Sequence, residues 1–483
     1  MTRSFRLPSV IGGVVSSALL LGLPLADLGG LVGQQAGNAW AATIPPALLA
    51  LRPIKGVAYQ PSPSDDCQLQ TPNCQTPNAV YFDSDFYNTD FPALWGPGAS
   101  ATGRDDLKTF KAAGINFLHV YNWNPQRSHT TFLDAAVAHG MKVTIPVTNY
   151  TACVIVGGCQ GVTTASYQTA YNVIQSTFNE IYVSPSKSPH PAAAVWAIFN
   201  EYDINSIDPQ LIVFVIQAIL QLEETAKIPV ANRLPIVVPV SNAVHNQAAG
   251  NQPAYFQNAE AIYRKANPTA TDATIPPGVI SIIALSMALQ NTAANGPTSY
   301  QAANDSAAVT VAAVPPDFWL NRFIATVNPF TAGPTLNQYI TNAGQFQSAF
   351  PNQTITSGSV VWNSTWNSLP PLFFTEMGIN IAGSGGTTAT QAAFVLSQLQ
   401  CTNPWAANAT LTTNGYFLGS NIFEFEYEYV NGHWGMFTFA SSPAPVQHLT
   451  TSGQTYLVDT MTAQLAWASV QSGFATTTVT SCP

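Results

Sequence analysis

Short apolar runs of strand length recur along the chain at residues 56–59, 116–122, 142–149, 195–200, 235–240, 323–328, 372–376 and 421–425. Between them lie segments whose apolar residues return every three to four positions, such as 104–113 closed by Gly114, 129–139 closed by Gly140, 209–225 and 388–399. The first pattern marks buried strands and the second amphipathic helices. Their alternation is the form repeated βα units take in sequence, with a parallel sheet as the outcome. Eight such units predict an α/β fold, a (β/α)8 TIM barrel with long loop insertions, because eight parallel strands close without leaving an edge. A doubly wound open sheet is the competing architecture, but no glycine-rich dinucleotide turn follows the first strand.

One stretch fits the count poorly. Residues 268–316 hold a β-like run at 279–285 and another at 309–314, and they read as a hairpin-like insertion before the sixth strand.

The N-terminus changes the picture of where the chain works. Arg3 and Arg6 lead into an apolar stretch from Val10 to Leu25, and Ala39-Trp-Ala41 offers a small-x-small cleavage site. Residues 1–41 therefore read as a secretory signal segment, and 42–483 as a single catalytic domain. The expected location is secreted, extracellular or associated with a cell wall, with an uncleaved anchor as the only membrane attachment. Six cysteines in an exported chain form sequence-local pairs, Cys67 with Cys74, Cys153 with Cys159 and Cys401 with Cys482, and disulfides are expected there. No Cys-x-x-Cys or His-Glu-x-x-His spacing occurs, so no metal site is expected.

Charged residues make up only 8% of the chain and the net charge is −9. Loss of the leader removes two positive charges and one negative, which takes the charge to −10. Nucleic acid is excluded as a partner on that balance. A neutral surface rich in hydrogen-bonding side chains suits an uncharged polysaccharide or oligosaccharide, bound by a monomer.

Against this scarcity of charge, two glutamates end apolar strands: Glu201 in Val195-Trp-Ala-Ile-Phe-Asn-Glu-Tyr-Asp203, and Glu376 in Leu372-Phe-Phe-Thr-Glu-Met-Gly378. An acid at the end of a buried strand is costly, and a general acid paired with a nucleophile explains that cost. The plainer explanation is that each caps the following helix. In a barrel the two would end strands four and seven, on the rim where catalytic groups collect. Glu201 would be the acid/base and Glu376 the ionised nucleophile of a retaining glycosidase, while Asn200 would bind the sugar 2-hydroxyl or serve only as a turn residue.

The Asn200-Glu201 pair and Phe374-Thr-Glu376-Met-Gly378 resemble the motifs of clan A glycoside hydrolases. Within that clan, Gly56-Val-Ala-Tyr-Gln-Pro61, Leu107-Lys-Thr-Phe-Lys-Ala-Ala-Gly-Ile-Asn116 leading into His119-Val-Tyr-Asn122, and Val327-Asn-Pro-Phe330 look most like the β-1,3-glucan-active families 17 and 72. The resemblance implies a barrel, retention of configuration, no cofactor, and hydrolysis or transglycosylation of a β-glucan. Onto matching positions it carries Glu201 as acid/base and Glu376 as nucleophile. Relatives often place an arginine on strand two where this chain has His119; a protonated His119 would replace it, or the ring would simply pack.

Further substrate-binding candidates are Tyr59, Tyr121, Asn122, Asn328, Glu424 and Trp434, at strand ends or in the loops after them. Aromatic faces among them would stack on pyranose rings, or pack in the core. Glu424, Glu426 and Glu428 alternate like one face of a strand and could line a cleft, bind calcium or face solvent. Other β-linked substrates such as mannan, cellulose or galactan, and a non-catalytic polysaccharide-binding barrel, are the alternatives. An esterase or peptidase lacks support, since no Gly-x-Ser-x-Gly elbow is present.

Overall fold

Strands β1 (Ile54–Ala58), β2 (Phe117–His119), β3 (Lys142–Val147), β4 (Ala193–Ile198), β5 (Ile236–Val237), β6 (Phe323–Val327), β7 (Leu372–Met377) and β8 (Phe417–Ile422) form a closed parallel barrel in chain order, with β8 returning to β1. The structure, a computed structural model, describes residues 45–483 except 65–84, 97–98, 100–103, 160, 184, 242–252, 342–344, 383, 409–415, 427–432, 441–443, 445, 450–452, 454, 479–481 and 483. The signal segment, Cys67, Cys74 and Glu428 lie outside the described residues.

The fold is the (β/α)8 barrel that the alternation predicts. Its interior is one apolar cluster with a contribution from most strands: Ile54, Phe117, Val195, Ala197, Val237, Ile324, Phe373 and Leu418. Leu48 of the short helix Pro46–Leu49 belongs to the same cluster, so this helix covers the end of the barrel where the strands begin. The helices pack outside, as the buried run from Ile212 to Leu220 in Pro209–Thr225 shows.

Strict alternation from the inward Phe373 would turn Glu376 outward, away from the mouth. A register shift prevents this: Phe374 pairs with Ser420 but Met377 with Ile422, so β7 carries one residue more than β8 over that span. Such a bulge re-aims a side chain at the rim of a barrel. Glu376 consequently meets His119 and Tyr121 of the β2 side.

Gly56 shows how tightly the interior is filled. A Cβ there would lie 1.7 Å from Asn421 Oδ1 and 3.1 Å from the Phe117 carbonyl oxygen. Asn421 cannot withdraw freely, since its amide donates to the Thr375 carbonyl at 3.1 Å. Gly56→Ala is expected to lower unfolding free energy by about 1–3 kcal/mol through overpacking, which a denaturant titration would measure.

The structure differs from the sequence pattern in three places. Residues 279–285 are not a strand but the start of the helix Val279–Asn295. That helix is apolar on every face and fully packed, so it carries no amphipathic period, and its branched residues imitate a strand. A hairpin does precede β6, formed by Thr298–Tyr300 and Val309–Val311. Strand β8 begins at Phe417, ahead of residue 421, because the polar Ser420 and Asn421 that interrupt the apolar run lie within it, both buried. The helix after β7 extends past residue 399 to span Thr388–Ala407.

Disulfides join Cys153 to Cys159 and Cys401 to Cys482, with Cα separations of 5.4 and 4.9 Å. The second ties the C-terminus to the helix Thr388–Ala407. No helix among the described residues is long and apolar enough to cross a membrane.

Candidate active site

Both glutamates lie where the strands end, Glu201 three residues beyond β4 and Glu376 near the end of β7. The β4 strand leaves the barrel through a strained turn, since Phe199 and Glu201 both adopt left-handed backbone conformations with φ of 55° and 48°. For bulky residues this costs of order 1–3 kcal/mol each, and such strain gathers at functional sites. The Glu201 amide donates to the Pro239 carbonyl at 3.0 Å, and the Asn149 amide group donates to the Asn200 carbonyl at 3.1 Å, so the turn is fixed from both sides.

Asn328, fully buried just after β6, links Glu201 to β7. Its Nδ2 donates to Glu201 Oε1 at 3.0 Å, and its Oδ1 accepts from the Thr375 hydroxyl at 2.7 Å. Thr375 immediately precedes Glu376 on β7. Burial pushes the Glu201 carboxyl up to about 7, opposed by the hydrogen bond from Asn328 and reinforced by the charge of Asp203. A carboxyl in that range keeps its proton in a large share of molecules near neutral pH and can give it up in a reaction.

Glu376 is 3% exposed and accepts a hydrogen bond from the Tyr121 hydroxyl on Oε1 at 2.6 Å. The donor fixes the carboxyl and suits its anionic form. His119 Nε2 stands 3.9 Å from the same oxygen, too far for a hydrogen bond, and neither ring nitrogen has a hydrogen-bond partner among the described residues. Burial pushes the ring down to about 3, so His119 faces Glu376 as a neutral imidazole. The protonated His119 anticipated in place of an arginine is therefore not what the fold provides.

Aromatic rings line the mouth beside Glu376. Trp434 packs against Phe330 at 4.7 Å and Phe423 at 5.5 Å, and Tyr121 meets Phe423 edge-on at 6.5 Å. All four are partly exposed. Tyr121, one of the stacking candidates, gives its hydroxyl to Glu376, and Phe330 and Phe423 pack beside Trp434, another of them.

The remaining candidates separate. Asn200 sits at the rim with its side-chain Oδ1 buried and without a partner among the described residues. Asn122 is buried beyond β2. Tyr59 is fully buried, donates to Asp106 Oδ2 at 2.7 Å and packs between Phe110, Tyr87 and Phe425; it is a core residue and not a sugar platform. The acidic comb also divides. β8 ends at Ile422, Glu424 is buried, and Glu426 accepts from Arg104 at 2.5 Å and the Ser62 amide at 2.6 Å in the Tyr59–Asp106 network. Among the described residues no group of three His, Cys, Asp or Glu is arranged to hold a metal ion.

Besides Phe330 and Phe423, two polar residues at the site escaped sequence reasoning. Asp203 was visible only as the end of the Glu201 motif, and Thr375 as an ordinary strand residue; their roles depend on contacts with Ser241, Ser281 and Asn328 from distant parts of the chain.

The fold and the rim together define a class of protein, a (β/α)8 barrel with a carboxylate at the end of its seventh strand and another just beyond its fourth. No protein-family model matches the chain, and neither does any curated protein. Among solved structures it is similar to a mutant of Saccharomyces cerevisiae Gas2p in complex with laminaritetraose and laminaripentaose, at 13% identity and a TM-score of 0.43, covering 88% of this chain and 64% of that one. It is similar as well to Saccharomyces cerevisiae Gas2p in complex with laminaripentaose, at 12% identity and a TM-score of 0.44, covering 88% of this chain and 65% of that one. The chain thus spans just under two-thirds of the length of those structures.

Proposed function

We propose that the protein is a retaining glycoside hydrolase or transglycosylase acting on a β-linked polysaccharide, with β-1,3-glucan as the favoured substrate and residues 42–483 as its catalytic domain. The observation that carries this reading is the arrival of Glu201 and Glu376 at one barrel mouth, joined through Asn328 and Thr375. The choice of glucan rests on the motifs around Gly56, Asn116 and Asn328, and export on the N-terminal segment.

In this reading Glu376 attacks the anomeric carbon while Glu201 protonates the departing glycosidic oxygen, which leaves a covalent glycosyl–enzyme ester. Glu201, now ionised, takes a proton from an incoming hydroxyl, and attack by that hydroxyl releases Glu376 with configuration retained. Water as acceptor gives hydrolysis and a sugar hydroxyl gives transfer. Tyr121 holds the nucleophile, and the rings of Phe330, Phe423 and Trp434 offer apolar faces to the sugar.

Incubation with laminarin-type glucan, read by reducing-end release and by chromatography of shortened and lengthened products, tests the reading. Turnover of mannan, cellulose or galactan in preference to laminarin would redirect the substrate assignment, and no product from any of them would remove the enzymatic reading.

Asn328→Ala should leave Glu201 free to swing and without the donor that favours its charged form. We expect kcat to fall about 10²-fold, the scale of a misplacement near 1 Å. The alkaline limb of the pH profile should move to higher pH, because loss of the donor raises the pKa of Glu201 and keeps the acid protonated further. A pH series of kcat/KM reads both effects.

A further inference from the structure

Two residues beyond Glu201 lies a second carboxylate, Asp203, 1% exposed. Four donors converge on it: the Ser241 amide at 3.1 Å to each oxygen, the Ser241 hydroxyl at 3.2 Å, the Ser281 hydroxyl at 2.8 Å and the Ile204 amide at 3.1 Å. These come from the loop itself, the end of β5 and the helix Val279–Asn295. No Lys, Arg or His among the described residues forms an ion pair with Glu201 or Asp203.

Among the described residues the titratable and polar groups around this pair are neutral or negative. Tyr202 lies between them on the same loop, Asp208 caps the helix Pro209–Thr225, Tyr255 stands on the helix Ala254–Ala266, and Asn328 follows β6. Two carboxylates two residues apart, with no cation partner among the described residues, do not ionise together easily. The one with more donors takes the charge. That is Asp203, whose carboxyl is raised by burial and pulled back by the Ser241, Ser281 and Ile204 hydrogen bonds, whereas Glu201 receives one neutral amide from Asn328.

We propose that Asp203 is a positioning residue for the reaction: its buried negative charge, clamped by Ser241 and Ser281, holds the proton on Glu201 until the leaving oxygen receives it. The inference rests on the reading of Glu201 as the acid/base, and it assigns a share of the electrostatic support for that role, added to the effect of burial, to a residue two positions away.

In Asp203→Asn the shape and most hydrogen bonds persist while the charge is lost. The alkaline limb of kcat/KM should then move down by about one pH unit, opposite in direction to Asn328→Ala. The loss of kcat/KM at pH 8 should exceed the loss at pH 5 by about tenfold. An unmoved limb, or an equal loss at every pH, overturns the proposal. Should the variant fail to fold, the unaltered protein labelled with 13C at its glutamate carboxyls answers the question, with the Glu201 signal assigned by its absence in Glu201→Gln. Two titration steps, a minor one as Asp203 ionises and a main one near neutrality, support the proposal; a single step at an ordinary carboxylate value refutes it. That titration judges the coupling whether or not the chain cleaves glucan, while full activity of Glu201→Gln would sink the acid/base reading alone.

Discussion

Glu376→Gln is expected to lower turnover of the proposed glucan substrate by about four orders of magnitude or more, on the scale seen when a covalent catalyst loses its nucleophile, while thermal unfolding should stay close to that of the unaltered protein. The amide keeps the shape and still accepts from the Tyr121 hydroxyl, but it cannot form the ester. Glu201→Gln loses less, about 10²–10⁴-fold, the range of general acid catalysis, and its loss shrinks for substrates whose leaving group needs no proton. The contrast separates the two roles. Equal losses with activated and unactivated substrates would mean that Glu201 does not act as an acid, and retention of turnover in Glu376→Gln would remove it as nucleophile.

The second large effect concerns the end of the barrel away from the site. Glu223, wholly buried on the helix Pro209–Thr225, accepts from Arg322 through two hydrogen bonds of 3.0 and 2.9 Å, and Arg233 stands 3.7 Å away. The Arg322 guanidinium also donates to the Leu234 carbonyl at 2.6 Å, so one side chain joins that helix to the strands β5 and β6. Breaking a buried pair by removing one partner costs about 3–5 kcal/mol, because the remaining charge is left in a dry place. Arg322→Met is therefore expected to lose about that much in denaturant unfolding at pH 7. The sign of its pH dependence follows. Without Arg322 the Glu223 carboxyl binds its proton more tightly in the folded chain than in the unfolded one, so the deficit grows as pH rises above the ordinary glutamate value and shrinks as pH falls toward it. Adding Glu223→Leu should restore most of the stability, whereas a double variant no better than the single one would show that the pair is not the cause.

How much of this was legible in the chain depends on what each residue meets. Parallel strands buried on both faces are apolar runs whatever their neighbours, so 142–149, 195–200 and 323–328 announce β3, β4 and β6 with errors only at the ends. The helix Val279–Asn295 was misread for the same reason, since a helix buried all round is also an apolar run. Polar residues inside the barrel defeat the pattern from the other side, as Ser420 and Asn421 did for β8. At the site, the strand-end glutamates were visible because charge is scarce and each follows an apolar run. The partners that tune them were not. Asn328, Thr375 and Asp203 act through contacts between the ends of strands four, five, six and seven, and no local spacing encodes which strand end approaches which. His119 illustrates the limit: its place near Glu376 was anticipated, but its neutral state comes from complete burial, a property of the folded mouth. Tyr59 ends the first strand as a sugar platform would, yet its hydroxyl meets Asp106 within a buried network.

The most direct measurement is covalent trapping. A 2-deoxy-2-fluoro β-glucosyl donor with a good leaving group slows release of the glycosyl–enzyme more than its formation, so the ester accumulates and can be mapped by mass spectrometry of peptides. The account predicts a single glycosylated residue, Glu376, in the peptide that carries Leu372-Phe-Phe-Thr-Glu-Met-Gly378. Label on another carboxylate such as Glu424, or no label under conditions where the glucan is cleaved, would contradict it.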